Sequence, residues 1–293
     1  MIALIFGANG QDGRYLAELF KLRNIDAIGI SRSGGHVIGS VTNYSLVAKL
    51  IEKYKPAYIV NLAAHSSTQH SAILENHETI STGSLNILEA TKLYSPNSKV
   101  FITGSGLQFK NLGDPICESD IFEANSAYST ARIHSAFTAR YYRSLGLNVY
   151  IGYLFHHESP YRQEFHVSKK ITLAAQKISS GSTDILEIGD ISVQKEWGHA
   201  KDIMEGVIAL LEQDHIFEAA IGTGTTYTIE NWLEQCFTLV GLDWKNHVRT
   251  IPNYRPQYNK LVSNPRTINA IGWKAKINFF ELAQMMMLNS SKY

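Results

Sequence analysis

The first thirteen residues constrain this chain more than any other stretch. An apolar run from Met1 to Phe6 ends at Gly7, and apolar residues at helical spacing (Tyr15, Leu16, Leu19, Phe20) begin just after Gly13. A buried strand that enters a glycine turn and leaves as a helix suits a phosphate. One glycine makes the turn tight, a second lets the backbone approach a diphosphate, and a third packs helix on strand. The helix start adds free N–H groups and the positive end of its dipole. Gly7, Asn9, Gly10, Gln11, Asp12 and Gly13 are therefore expected to hold the diphosphate of a dinucleotide.

A chain of 293 residues is long enough for one large domain or two interlocked ones. Its formal net charge of +1 gives no field of one sign to attract nucleic acid or a membrane surface. Only Cys117 and Cys236 are present, far apart, which fits a reduced cytoplasmic setting without a disulfide framework. The apolar start lacks the basic flank and long core of a signal peptide. No apolar stretch approaches the ~20 residues of a membrane span. The expectation is a soluble cytoplasmic protein.

Strands then alternate with helices. Asp26 to Ser31 reads as a second strand, and its end bears on the cofactor. An acidic side chain there would hold the ribose hydroxyl of NAD, whereas arginine pairs with the 2′-phosphate of NADP. The segment is Ser31-Arg32-Ser33, so Arg32 favours NADP, with NAD as the alternative. Residues 44–55 form a helix stopped by Pro56, and 58–64 a buried strand whose end, Leu62-Ala63-Ala64, is placed to line the cofactor. A polar loop (65–71), a helix (80–93) and a strand (100–105, with Thr103 and Ser105 at its end) follow. A helix from Ala127 to about Ser144 and a strand from Val149 to Phe155, with Leu154 facing the cofactor, complete the half. This alternation predicts an α/β fold with a doubly wound parallel sheet over 1–160. Residues 161–293 should form a smaller, mainly substrate-binding α/β part, with some segments returning to the sheet. Strand-like 184–189 and helical 228–239 and 278–287 lie there, and Met285 to Met287 read as core filler.

Tyr128 and Arg132 carry the expected chemistry. On a helix, positions four apart share a face, so the phenol and the guanidinium enter one cleft. The cation favours loss of the phenolic proton, and its fork of donors can hold a ribose. The histidines give no metal pattern: His156-His157-Glu158 lies at a strand end, and His65, His70 and His77 lack ligand spacing. No metal is expected.

Several motifs resemble the GDP-mannose 4,6-dehydratases, a branch of the extended short-chain dehydrogenase/reductase family with a Rossmann fold. They are Gly7 to Leu19 (whose glycine spacing suits that family), Asn61-Leu-Ala-Ala-His-Ser66, Tyr153-Leu-Phe-His-His-Glu-Ser-Pro160, Trp197-Gly-His-Ala-Lys-Asp202, Tyr254-Arg-Pro256 and Ile271-Gly-Trp-Lys-Ala-Lys276. Tyr128-Ser-Thr-Ala-Arg132 stands where the family carries Tyr-x-x-x-Lys. The resemblance implies His157 beside a nicotinamide. It also implies Ser66, His156, Glu158, Lys170, Lys195 and Arg255 around a GDP-linked sugar, in a homo-oligomer, dimer or tetramer. The departures are pointed. Gly104 and Gly106 replace the family's Thr and its elimination Glu, and Lys195, His156 and Tyr258 replace Arg, Asn and a ribose-binding Glu. Ser105 or Thr103 is left to orient the sugar O4. With no acid at 106, the expectation is hydride transfer at C4 of a manno-type GDP-sugar without dehydration, by a dehydrogenase, 4-keto reductase or epimerase. The alternatives are a true dehydratase using another acid, such as Glu158, and a non-catalytic dinucleotide-binding protein.

A Gly10→Val substitution should obstruct the diphosphate while leaving the fold intact. Calorimetry should then show a lost or much weakened nicotinamide dinucleotide, and unchanged affinity would refute the assignment of this turn.

Overall fold

The computed structural model describes residues 1–289. The first half runs β1 (Ile2–Phe6), α1 (Gln11–Leu22), β2 (Asp26–Ser31), β3 (Val37–Ile38), α2 (Tyr44–Tyr54), β4 (Tyr58–Asn61), α3 (Ile73–Asn76), α4 (Gly83–Tyr94), β5 (Lys99–Ser105), α5 (Ala127–Ser144) and β6 (Asn148–Leu154). The second runs β7 (His157–Glu158), α6 (Val167–Ser179), β8 (Leu186–Ile188), β9 (Gln194–Glu196), β10 (Gly198–His199), α7 (Ala200–Leu211) and β11 (Glu218–Ile221). It ends with β12 (Thr226–Thr228), α8 (Ile229–Thr238), β13 (Val248–Thr250), β14 (Lys260–Leu261), α9 (Arg266–Ala270) and α10 (Phe279–Asn289).

Seven strands form one parallel sheet in the order β3-β2-β1-β4-β5-β6-β11. Its central strands are covered on both faces, which is why they are continuous apolar runs and not alternating ones. Ala3, Leu4 and Ile5 of β1, for instance, are wholly buried. The strand order reverses between β2-β1 and β4-β5, and the crevice beyond the strand ends at that point is where such sheets bind ligands. The doubly wound α/β expectation is met.

Local chemistry sets the boundaries. α2 starts on the Asn43 side chain, which accepts from Leu46 N, and stops as Lys55 turns left-handed (φ 38°) before Pro56. α5 starts on Ser126, with a reciprocal bond to Ser129. β4 is shorter than the apolar run 58–64: Asn61 is its last ladder residue, and its side chain turns the chain out, Oδ1 accepting from Ala63 N at 3.2 Å and Nδ2 donating to Ser84 Oγ at 3.2 Å. The helix expected over 80–93 begins earlier, as a π-helical turn (His77–Thr82) that runs into α4.

Past residue 160 the chain does two things. α7 returns to the sheet, burying Ile203, Met204, Val207 and Ile208 with Leu16, Leu19 and Phe20 of α1, and β11 pairs with β6. The remainder packs around Trp197 and Trp232, stacked at 4.4 Å, with Phe279, Met286 and Met287 buried beside them. Among the described residues no helix is long and apolar enough to cross a membrane.

Candidate active site

A cleft of about 1110 Å³ opens at the strand ends and receives side chains from both halves. Its floor is the glycine turn. Gly7 has a φ of +87°, and a Cβ there would lie 2.7 Å from Ala63 N; one at Gly13 would lie 2.5 Å from Ala8 Cα. At Gly10 the nearest atom is 3.4 Å away. The turn is thus packed tightly from behind and open in front, and no side chain caps the first N–H groups of α1. These residues fit the diphosphate of a dinucleotide.

The side chains of this turn are engaged elsewhere. Asn9 Nδ2 donates to Ser33 O at 2.8 Å, tying the turn to the end of β2. Gln11 Nε2 donates to His157 O at 3.3 Å and Gln11 Oε1 accepts from Ser159 Oγ at 2.9 Å. Asp12 Oδ1 lies 3.0 Å from His157 Nε2, and His157 Nδ1 donates to Phe155 O at 2.7 Å. Gln11 and Asp12 therefore clamp the turn to the end of β6, leaving backbone N–H groups for a phosphate. Leu62, Ala63, Ala64, Ser66 and Leu154 line the cleft.

Tyr128 and Arg132 form one unit, both buried. Arg132 Nε donates to Tyr128 Oη at 3.0 Å, and its Nη1 donates to Thr103 O at 2.5 Å. Charge left on the phenolic oxygen would meet a guanidinium that cannot turn away. Thr103 and Ser105 part company here. Thr103 Oγ1 donates to Asn61 O at 2.6 Å and is used within the sheet. Ser105 Oγ accepts from Leu107 N at 3.2 Å and keeps its own hydrogen for a ligand. Both residues line the cleft, Thr103 with its hydroxyl hydrogen already engaged.

The glycines of β5 are filled in by neighbours. A Cβ at Gly104 would lie 2.5 Å from the Tyr153 ring, and one at Gly106 2.7 Å from the Phe155 ring. Glu158 cannot substitute as an acid, contrary to expectation. It is 1% exposed, accepts from Ser168 Oγ at 2.7 Å, and lies 2.9 Å from Arg162 and 3.3 Å from Lys195. Burial alone would raise its proton affinity, but Arg162 and then Lys195 hold it down to about 2, so it has no proton to give. Lys195 is buried with it, over the Trp197 ring at 4.3 Å, and its charge is answered inside the protein. Lys170 is exposed at the cleft wall. Arg255, expected on the substrate, is exposed outside the lining, although its neighbours Tyr254 and Pro256 line it.

His156 and Tyr258 meet in the same cleft, Nε2 to Oη at 3.0 Å. Burial, then the Lys195 charge, keeps the imidazole neutral, and burial pushes the phenol up, so it stays protonated. Arg162, Ser159 and the Asp12–His157 pair were not anticipated as a unit, because partners some 145 positions apart carry no local signal.

The Asp12–His157 pair has a pH signature. Burial pulls His157 down, but Asp12 more than offsets it and raises the imidazole above its ordinary 6.5. Burial pushes Asp12 up, and the His157 charge and hydrogen bond bring it below its ordinary 3.8. The histidine's contribution is full below 6.5 and lost as pH rises through its raised value. The aspartate's is full above 3.8 and lost as pH falls through its lowered value. Unfolding stability should therefore decline as pH rises past 6.5, and Asp12→Asn should abolish that slope and lower the His157 titration followed by NMR. A slope and titration unaffected by Asp12→Asn would contradict the pairing.

Residues 4–286 match the family model described as GDP-mannose 4,6 dehydratase. GDP-mannose 4,6 dehydratase 1 of Arabidopsis thaliana is 29% identical over 319 residues, covering 98% of this chain and 88% of that protein. The dTDP-glucose 4,6-dehydratase of Bacillus anthracis str. Ames, solved with NAD, superposes with a TM-score of 0.87 at 20% identity, covering 100% of this chain and 97% of that one. The protein RMD of Pseudomonas aeruginosa, solved with NADPH, does so with a TM-score of 0.87 at 16% identity, covering 100% and 99%. These findings overturn the expectation of C4 chemistry without dehydration, since the family and its full-length relatives carry the dehydratase name. Matched from end to end, this enzyme of short-chain dehydrogenase/reductase type belongs to the GDP-mannose 4,6-dehydratase family.

Proposed function

We propose that the chain is a 4,6-dehydratase of a GDP-linked, manno-type hexose, working with a nicotinamide dinucleotide and using Tyr258 in place of the missing glutamate. The observation that carries the reading is the family match along residues 4–286, joined to a Tyr128–Arg132 unit inside the cleft. The chemistry a bound nicotinamide supplies is a hydride acceptor and later a hydride donor. Gly7, Gly10 and Gly13 would hold its diphosphate, and Arg32 would meet its adenosine ribose.

Tyr128 Oη takes the proton from the sugar O4, with Arg132 Nε steadying the oxygen and Ser105 Oγ orienting the hydroxyl. A ketone at C4 then acidifies the hydrogen on C5. Elimination needs one group to give a proton to the departing O6 and recover one from C5. Tyr258 supports this role by position and state. It shares a cavity wall with Leu107, next to Gly106, and is bonded to His156, next to the Phe155 ring that fills the Gly106 space. Tyr258 Oη gives its proton to O6 as the C6–O bond breaks and takes the C5 proton as C5=C6 forms, while His156 Nε2 shares the transient charge. Lys170, beside the uncapped start of α6, would face the substrate diphosphate. The free thiols Cys117 and Cys236 support a reducing, cytoplasmic setting. Exposed Phe137 and Tyr141 on α5 support a homo-oligomer.

Incubation with GDP-mannose and dinucleotide should yield a 6-deoxy-4-keto product. Tyr258→Phe should slow dehydration by about 10²–10⁴-fold while oxidation at C4 continues, since one positioned proton carrier is worth that much. Dehydration at the unmodified rate in Tyr258→Phe would remove Tyr258 from the mechanism.

A further inference from the structure

We propose that Glu75 sets which nicotinamide dinucleotide the cleft accepts, turning it toward NAD and away from the 2′-phosphate that Arg32 alone would attract. The proposal rests on the dinucleotide reading of the glycine turn. In a sheet of this kind the adenosine ribose lies at the end of β2, where an acidic side chain ordinarily receives its hydroxyl. β2 ends in Ser31-Arg32-Ser33 and offers no carboxylate.

The fold brings one from 43 positions away. Glu75 on α3 places Oε1 3.4 Å from Arg32 Nη1, and the same oxygen lies 3.4 Å from His65 Nδ1. Arg32 and His65 both line the cleft, and Glu75 contacts the two of them from just behind that lining. The Arg32 and Glu75 side chains are 66% and 46% exposed. An ion pair that open contributes little to folding, so changing Glu75 leaves the framework intact.

The pair bears unequally on the two cofactors. A 2′-hydroxyl can donate to the Glu75 carboxylate while Arg32 stays neutralised. A 2′-phosphate carries almost two negative charges, must displace Glu75 from Arg32, and then remains beside it. The carboxylate absent from β2 is thus supplied by α3, with the same consequence for selection.

Calorimetric titration of the full chain with NAD and with NADP tests this without reference to turnover. The unmodified protein should bind NAD at least as tightly as NADP. Glu75→Gln should tighten NADP about five- to tenfold and weaken NAD by about two- to fivefold, both changes shrinking at high salt. Adding Arg32→Ala to Glu75→Gln should erase that gain. An NADP-to-NAD affinity ratio unchanged by Glu75→Gln, or a strong NADP preference in the unmodified chain, would overturn the proposal with the dinucleotide reading intact. Failure of every variant to bind either dinucleotide would overturn both.

Discussion

The cleft depends on how closely the Gly7 turn approaches the end of β4. With a Cβ at Gly7 only 2.7 Å from Ala63 N, no other residue lets β1 turn into α1 without pushing β4 aside. That contact sets the Gly10 opening, and it brings Gln11 and Asp12 within reach of the β6 end. It also keeps the ends of β4 and β5 in register, so that Thr103 can donate to Asn61 O and offer its carbonyl to Arg132. The catalytic phenol is therefore aimed through a chain of backbone contacts that begins at a glycine.

Electrostatics divides the cleft into parts with different duties. Glu158, Arg162 and Lys195 answer one another inside the protein, and such a cluster fixes geometry at a large desolvation cost instead of exchanging protons. Asp12 and His157 form a second internal pair across the glycine turn. What stays available for proton transfer lies outside these pairs: the Tyr128 hydroxyl beside Arg132 and the phenol–imidazole contact of Tyr258 and His156. A site that has lost a carboxylate from β5 keeps proton carriers, provided by residues far from that strand.

The sheet was legible because its inner strands are runs of apolar residues, and because helices such as α2 and α5 open on side-chain caps, Asn43 and Ser126. The glycine turn and the Tyr128–Arg132 spacing were legible for the same local reason. Contacts such as Asp12–His157 and Arg32–Glu75 were not, since nothing near either residue points to its partner. Gly106 was read correctly as a residue without acid, but the conclusion drawn from it was too strong. Loss of one group at one position says nothing about groups delivered from β6 or from the 254–258 segment. Glu158, the obvious replacement in sequence, proved to be neutralised by Arg162, four residues on, and by Lys195, which nothing near Glu158 reveals.

The central claim is internal redox coupled to loss of water: hydride leaves C4 and returns to C6 of the same sugar. GDP-mannose carrying deuterium at C4, incubated with the protein and a trace of dinucleotide, tests it in one product analysis. The account predicts a product lighter by one water that retains the deuterium, now at C6. A 4-keto product that keeps its water and loses its deuterium, or substrate recovered unchanged, would contradict it.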